Sequence, residues 1–214
     1  MLKREVLRRG IGRWRVAAAV LVVVGWLAAA SGASASAPAF TQVSGSPFST
    51  APGIGPVSVA FGPGGLLATA DQGNAVSSPG MVSVFSVGPG GALAQVSGSP
   101  FATGAREAAS VAFSPGGGLL AVTDLFSLTT RDPARVSVFS VGPGGALTAV
   151  SGSPFATGGP PGVAFSPSGG LLATANGPPD DTVSVFSVGP GGALTPVTGS
   201  PFPTVFGLAG APGV

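Results

Sequence analysis

The sequence contains no cysteine and no histidine, and only 7% of its residues are charged. Without cysteine the chain has no disulfide, no thiol nucleophile and no thiolate metal ligand. Without histidine it has no imidazole base, no histidine-based triad and no histidine–metal centre. Its glycine-rich segments lack the Walker A pattern of a phosphate loop. These absences exclude thiol and imidazole chemistry from this chain.

The basic residues are concentrated at the N-terminus, ahead of an apolar run. Six of the nine lysines and arginines precede Val16–Ala30, and small residues follow, including Ala33-Ser34-Ala35. This order is typical of a secretory signal peptide, and the run is shorter than the ~20 residues that span a bilayer. We expect residues 1–35 to be cleaved after export by the Sec or the twin-arginine route, to the periplasm, cell surface or medium. A retained anchor is the alternative.

The mature chain has a different charge balance from the whole sequence. Removing residues 1–35 leaves three basic and six acidic residues, a net charge of −3. No basic patch remains to replace the counterions of a nucleic acid. We therefore expect no nucleic-acid partner, and no membrane span in the mature chain.

One motif recurs through the mature chain. Val136–Thr157 (VSVFSVGPGGALTAVSGSPFAT) returns with few changes at Val82–Thr103 and Val183–Thr204, and part of it stands at Gln42–Thr50. Its β-branched and aromatic residues favour a strand. The GPGG that follows suits a type II turn, whose third residue needs φ > 0. We expect a second strand to run from this turn to Pro154, which cannot donate a ladder hydrogen bond.

A second strand–turn–strand unit lies between the copies, at Val57–Asp71, Ala109–Asp124 and Pro161–Asn176. Each repeat thus holds four short strands, named a, b, c and d in chain order. Four antiparallel strands per repeat of about 40–50 residues are typical of a β-propeller blade. The 37 glycines and 22 prolines would suggest low-complexity disorder if they lacked a period, but here they fall regularly at turns.

The fold class predicted is all-β, a propeller within residues 36–214. Three four-stranded blades are expected at about 56–101, 109–155 and 162–202. Ala39–Thr50 supplies a d-type strand, and residues 203–214 begin a further repeat. Because propellers typically have four to eight blades, we expect this chain to be part of a larger ring. The alternative is self-association through open blade edges.

In an up-and-down blade the d–a and b–c connections emerge on one side, here called the loop face, and the a–b and c–d turns on the other, the turn face. The turns are uncharged, and every charged residue of the mature chain falls in or beside a loop-face connection. Because binding residues concentrate in loops on a rigid scaffold, we predict a ligand-binding loop face. Its candidates are Asp71, Arg106, Glu107, Asp124, Arg131, Asp132, Asp180 and Asp181. The alternative is that these charges only solvate exposed loops.

No constellation of these residues predicts a metal site, a cofactor or a defined catalytic residue. Asp180-Asp181 could offer oxygens to Ca²⁺, but such a site needs 6–8 oxygen ligands, and a solvated loop is the alternative. Arg106-Glu107 and Arg131-Asp132 are expected to be local ion pairs, which contribute little at a surface. Glu107 or Asp124 beside Arg131 could act as a general base with an oxyanion stabiliser.

The segment Leu171–Phe202 (LLATAN…DDTVSVFSV…GALTPVTGSPF) resembles the repeat of the lactonase-like seven-bladed propellers, which include 6-phosphogluconolactonase and carboxymuconate cyclase relatives. It is also similar to YVTN surface-protein repeats, with Ala173-Thr174-Ala175-Asn176 at the place of that tetrad. The resemblance covers 42–214 and implies a seven-bladed ring and export. It implies a histidine, an arginine and a glutamate on the loop face for the cyclase branch, but this chain has no histidine.

Three functions follow from these observations. The first is an exported propeller that binds a small molecule, a protein or a cell surface through its loop face. The second is part of a lactone-hydrolysing enzyme, a carboxylic ester hydrolase. The third is an inert structural repeat. The sequence alone leaves open whether the chain is an enzyme.

Overall fold

The computed structural model describes residues 41–50, 55–73, 78–104, 107–125, 134–159, 162–178 and 180–204. The predicted signal peptide and most of the predicted further repeat lie outside these residues. The described residues form one compact unit.

The described residues form three antiparallel sheets, one in each repeat. The first contains β1 (Gly55–Gly62), β2 (Leu66–Gln72), β3 (Met81–Val87), β4 (Leu93–Gln95) and β5 (Phe101–Ala102). The second contains β6 (Ala108–Phe113), β7 (Leu119–Asp124), β8 (Arg135–Val141), β9 (Leu147–Ala149) and β10 (Phe155–Ala156). The third contains β11 (Gly162–Phe165), β12 (Leu171–Asn176), β13 (Thr182–Val188), β14 (Leu194–Pro196) and β15 (Phe202–Pro203). The helical turns in this part of the chain are too short for any of them to cross a membrane.

Strands a, b and c follow one another in space as they do in sequence, but strand d is broken into two pieces. In the first sheet both pieces, β4 and β5, pair with β3. A turn separates them, and there the hydroxyl of Ser99 accepts a 2.9 Å hydrogen bond from the backbone N–H of Val84. The prediction of one continuous d strand is therefore wrong, because a serine side chain replaces a backbone partner in mid-strand. The same contact recurs at Ser153 and Ser200.

The predicted GPGG turn is confirmed. Gly90, its third residue, has φ 71° and ψ 9°, which are type II values. The N–H of Gly91 donates a 3.1 Å hydrogen bond to the carbonyl of Gly88, closing the turn. Gly144 and Gly191 repeat this geometry in the other two sheets.

The three sheets stack face to face. Their a strands are neighbours, with β6 contacting both β1 and β11. The joint between the first and second sheets buries Ala68, Ala70, Val82, Val84 and Val96 with Ala108, Val111, Leu120, Val122 and Phe139. The joint between the second and third buries Ala121, Val136, Val138 and Val150 with Leu172, Phe186 and Leu194. The predicted all-β propeller class, with three four-stranded blades, is confirmed.

Residues 41–50 adopt the turn of a d strand without its pairing. The N–H of Ser46 donates to the carbonyl of Val43 at 3.1 Å, as Ser99 does to Val96. The peptide bond after Ser46 is cis, like the three equivalent Ser–Pro bonds. No strand is formed within residues 41–50, so the described part of the predicted N-terminal d strand has the turn found in the other three d strands but not their pairing.

Candidate functional site

A buried polar residue lies at the end of strand b, or one residue before it, in every sheet. Asp71, Asp124 and Asn176 occupy equivalent positions in β2, β7 and β12, and each is at most 5% exposed. A serine two residues inside strand c lies close to each of them: Ser83, Ser137 and Ser184. These polar groups lie at the loop-face end of otherwise apolar strands. They are satisfied by one another, as buried polar groups must be.

Asp124 joins the first and second sheets. Its Oδ1 accepts a 2.8 Å hydrogen bond from the hydroxyl of Thr103, at the end of the preceding sheet. The hydroxyl of Ser137 lies 3.2 Å from Oδ2 and 2.7 Å from the carbonyl oxygen of Thr103. Burial raises the pKa of Asp124 from 3.8 to about 6, although both hydroxyls and nearby Arg135 act to lower it.

Asp71 is held within the first sheet. Its Oδ1 accepts a 2.8 Å hydrogen bond from the hydroxyl of Thr69, and its Oδ2 accepts one from Ser83. Asp71 and Asp124 were predicted to face a ligand. Both instead lie inside strands, fully buried, because strand b continues to the carboxylate before the connection begins.

Asn176, near the joint between the second and third sheets, donates a hydrogen bond to its strand-c serine, whereas Asp71 and Asp124 accept one from theirs. Its Nδ2 donates to the hydroxyls of Thr182 and Ser184, both at 2.8 Å, and its Oδ1 accepts from Thr174 at 3.3 Å. The threonine equivalent to Thr103 here bonds the carbonyl of Gly158 instead. A Cβ on Gly158 would lie 2.6 Å from Cγ of Asn176, so only glycine fits beside this amide.

Among the described residues, the exposed carboxylates of the loop face lie beside the third sheet. Asp180 and Asp181 are both exposed, and their N–H groups bond the carbonyl of Gly177 at 3.1 and 3.3 Å. Asp181 has φ 44°, and Thr204 donates to its carbonyl through both its N–H and its hydroxyl. The two carboxylates are therefore held on a turn that is fixed to the end of strand d.

The remaining candidates are only partly described. Glu107 is half-buried, and its carbonyl accepts a 2.9 Å hydrogen bond from the N–H of Leu125. Arg106, Arg131 and Asp132 lie outside the described residues. Within the described ranges, no three carboxylates come close enough to hold a metal ion.

Grooves lie between neighbouring sheets in the described part of the chain. A groove of about 310 Å³ on the turn face is lined by Leu66, Val141 and the turn glycines, and has no charged lining residue. A second, of about 200 Å³, lies between the second and third sheets and includes Thr157, Ser184 and Ser200. The second groove lies beside the polar group of Asn176, while the first has an uncharged wall with little to orient a polar ligand.

No protein-family model matches the sequence, and no curated protein matches it. Solved structures do match it. A Bacteroides fragilis protein described as a 6-phosphogluconolactonase matches with a TM-score of 0.59 and 23% identity, over 71% of this chain and 40% of its own. Its counterpart from Bacteroides uniformis gives 0.57 and 24%, over 68% and 40%. The chain has the fold of a lactonase-like β-propeller.

The Pseudomonas aeruginosa periplasmic gluconolactonase PpgL has the same fold, with a TM-score of 0.51 and 24% identity over 66% of this chain and 41% of its own. The propeller described here spans about two fifths of the length of these solved proteins. The lactonase-like β-propeller fold that the sequence resemblance implied is thus confirmed for the three blades that the structure describes.

Proposed function

We propose that this chain forms part of an exported β-propeller that binds a ligand on its loop face, through the d–a and b–c connections. One observation carries the proposal. The six ionisable residues in the described ranges all lie at the loop-face end of the sheets, and the turn face carries none. Since binding groups concentrate in loops above a rigid scaffold, the loop face is the better candidate for polar recognition.

The described carboxylates favour binding over catalysis. Asp71 and Asp124 already bond hydroxyls of the protein and are 0% exposed, so neither reaches a ligand in this arrangement. Asp180 and Asp181 are exposed on a fixed turn. Carboxylates so placed accept hydrogen bonds from hydroxyl or ammonium groups, which a sugar-derived small molecule or a protein or cell-surface partner would supply.

Lactone hydrolysis is the second candidate, favoured by the likeness to proteins described as 6-phosphogluconolactonases and a gluconolactonase. We place the lactone of this second candidate above the loop face, because the charged residues of the mature chain lie there. Glu107 is the half-buried carboxylate available as a base there, with Arg106 or Arg131 as the oxyanion stabiliser. An inert structural repeat remains the third.

Export rests on residues 1–35, which lie outside the described residues. The order of basic, apolar and small residues supports a cleaved signal peptide. PpgL is described as periplasmic, which agrees with an exported location for this chain.

A ligand screen on residues 36–214 tests the function. Thermal shifts would be recorded with sugar lactones and the corresponding acids, and proton release would be followed with the lactones. A variant with Arg106, Glu107 and Arg131 all changed to alanine should lose any shift. A turn-face control variant, Ser168→Ala, should keep it. Proton release above the buffer rate would favour the hydrolase, and equal shifts in both variants would remove the loop-face proposal.

A further inference from the structure

The two ends of the stack expose apolar side chains that are covered inside it. On the first sheet Val59 is 62% exposed and Phe61 74% exposed. Val111, the equivalent of Val59 in the second sheet, is 5% exposed, and Phe113, the equivalent of Phe61, packs on the first joint. The uncovered face of the first sheet is here called the back face. Its apolar residues lie on the face of the sheet, whereas the self-association predicted from the sequence involved the open strand edges of the blades.

The third sheet has the complementary surface, here called the front face. Leu171 is 43% exposed and Phe202 41% exposed. Their equivalents in the second sheet, Leu119 and Phe155, pack on the second joint. Exposed apolar patches of this kind mark interaction sites, and here the inner joints show what sort of surface covers them.

A leucine and a glycine lock each inner joint. A Cβ on Gly145, in the c–d turn of the second sheet, would lie 3.0 Å from Cδ2 of Leu66 in the first. A Cβ on Gly192 of the third sheet would lie 2.7 Å from Cδ2 of Leu119 in the second. Each leucine therefore fits against a turn where no side chain is present.

Each end of the stack carries one of the two residues of this leucine–glycine contact. Gly91 is the equivalent glycine of the first sheet, and Val43 is the only side chain among the described residues within 4 Å of a Cβ built on it. Leu171 is the equivalent leucine of the third sheet. We propose that a second copy of this chain docks its front face on the back face, placing Leu171 against Gly91 and covering Val59 and Phe61.

Residues 41–50 occupy part of the back face, next to Gly91, where the second copy would dock. Val43 reaches Gly91 as Val96 reaches Gly145, so this segment stands where the d strand of a docked third sheet would lie. The d strand of the third sheet is held by pairing of β14 and β15 with β13 and by the hydrogen bond from Val185 N–H to Ser200. Residues 41–50 form no strand. The docked copy therefore displaces residues 41–50, and removing them should strengthen association.

The joint is heterologous, because different faces meet, and such contacts close a ring or continue as a filament. Residues 36–214 would be measured by light scattering over a concentration series. We expect the mass to rise to at least twice that of one chain, and to do so at lower concentration when residues 36–50 are removed. A mass of one chain in both cases would overturn the proposal.

Two charged variants test the faces separately. Leu171→Asp should block binding through the front face, and Phe61→Asp should block binding through the back face, so each variant alone should stay a single chain. In an equimolar mixture, the intact back face of Leu171→Asp should bind the intact front face of Phe61→Asp and form a dimer. Thr148→Asp, on an exposed position of the middle sheet, is the matched control and should associate normally. Circular dichroism would first establish that both variants are folded. If either variant then associated on its own, or if the mixture formed no dimer, the proposed contact between front and back faces would be wrong.

Discussion

The hydroxyl of Thr103 donates a 2.8 Å hydrogen bond to Oδ1 of Asp124 across the joint between the first and second sheets. Thr103 ends one repeat, and Asp124 ends strand b of the next. The bond thus connects two repeats through a carboxylate that is 0% exposed. A charge in such a place costs stability unless its partners offset the loss of water, and here burial is the largest effect on its pKa.

Asp124→Asn should stabilise the protein at neutral pH. The pKa of Asp124 is about 6 in the folded chain against 3.8 for the ordinary group, a difference worth roughly 3 kcal/mol at most. An amide carries no charge, and Asn176 shows that one fits the equivalent position. Urea unfolding near neutral pH, followed by circular dichroism, should show a free energy of unfolding that is about 1–3 kcal/mol higher for the variant.

The sign of the pH dependence separates this cause from general repacking. A carboxyl whose pKa is raised on folding binds its proton more tightly in the folded state. It therefore stabilises the fold as pH falls below about 6 and costs stability as pH rises through about 6. The gain from Asp124→Asn should shrink towards pH 4, near the ordinary pKa of 3.8. An equal gain at both pH values would contradict the titration of Asp124.

Asn176→Asp is the reverse exchange at the second joint. Nδ2 of Asn176 donates to the hydroxyls of Thr182 and Ser184, and a carboxylate donates nothing, so both hydroxyls must turn and donate instead. The buried charge should cost about 1–3 kcal/mol at neutral pH. Thermal unfolding at several pH values should show the loss diminishing in acid. A pH-independent loss would mean that the carboxyl stays neutral or that the joint opens to water.

Much of the fold was predictable because glycine and proline occur at the turn positions at a regular spacing along the sequence. Gly90 has the positive φ that the third position of a type II turn requires, and VSVFSV has the composition of a buried strand. The break in strand d was not predictable from periodicity. It depends on Ser99 replacing a backbone partner of Val84, and a serine followed by proline reads equally well as the end of a strand.

The candidate site was less predictable, because charge in a sequence does not reveal burial. Asp71 and Asp124 were grouped with Asp180 and Asp181, yet the first pair is buried and the second exposed. A signal was present in the repeats. A polar residue lies at or next to the end of strand b three times, and a serine such as Ser137 recurs inside an apolar strand c, which indicates buried polar partners. The residues of the d–a and b–c connections vary between repeats and carry no such signal.

Thr123→Val should stabilise the second sheet. The hydroxyl of Thr123 is fully buried and has no hydrogen-bond partner among the described residues, and the equivalent residues are Ala70 and Ala175. Removing an unsatisfied buried hydroxyl should gain about 1–2 kcal/mol in urea unfolding. Thr174→Val is the control, because that hydroxyl donates to Asn176, and it should lose about 1 kcal/mol. A loss in both variants would indicate a partner for Thr123.

Gly192→Ala should weaken the joint between the second and third sheets more than Gly191→Ala does. Both glycines have positive φ, 85° and 69°, so alanine at either costs about 1–2 kcal/mol in backbone strain. At Gly191 a Cβ meets nothing within 4 Å, whereas at Gly192 it would lie 2.7 Å from Leu119 Cδ2 and 3.1 Å from Val150 Cγ1. Overpacking should add about 1–3 kcal/mol at Gly192, measured as the difference between the two unfolding free energies. Because strain cancels in that difference, equal losses would mean that Leu119 moves aside freely and that the leucine–glycine contact does not lock the sheets together.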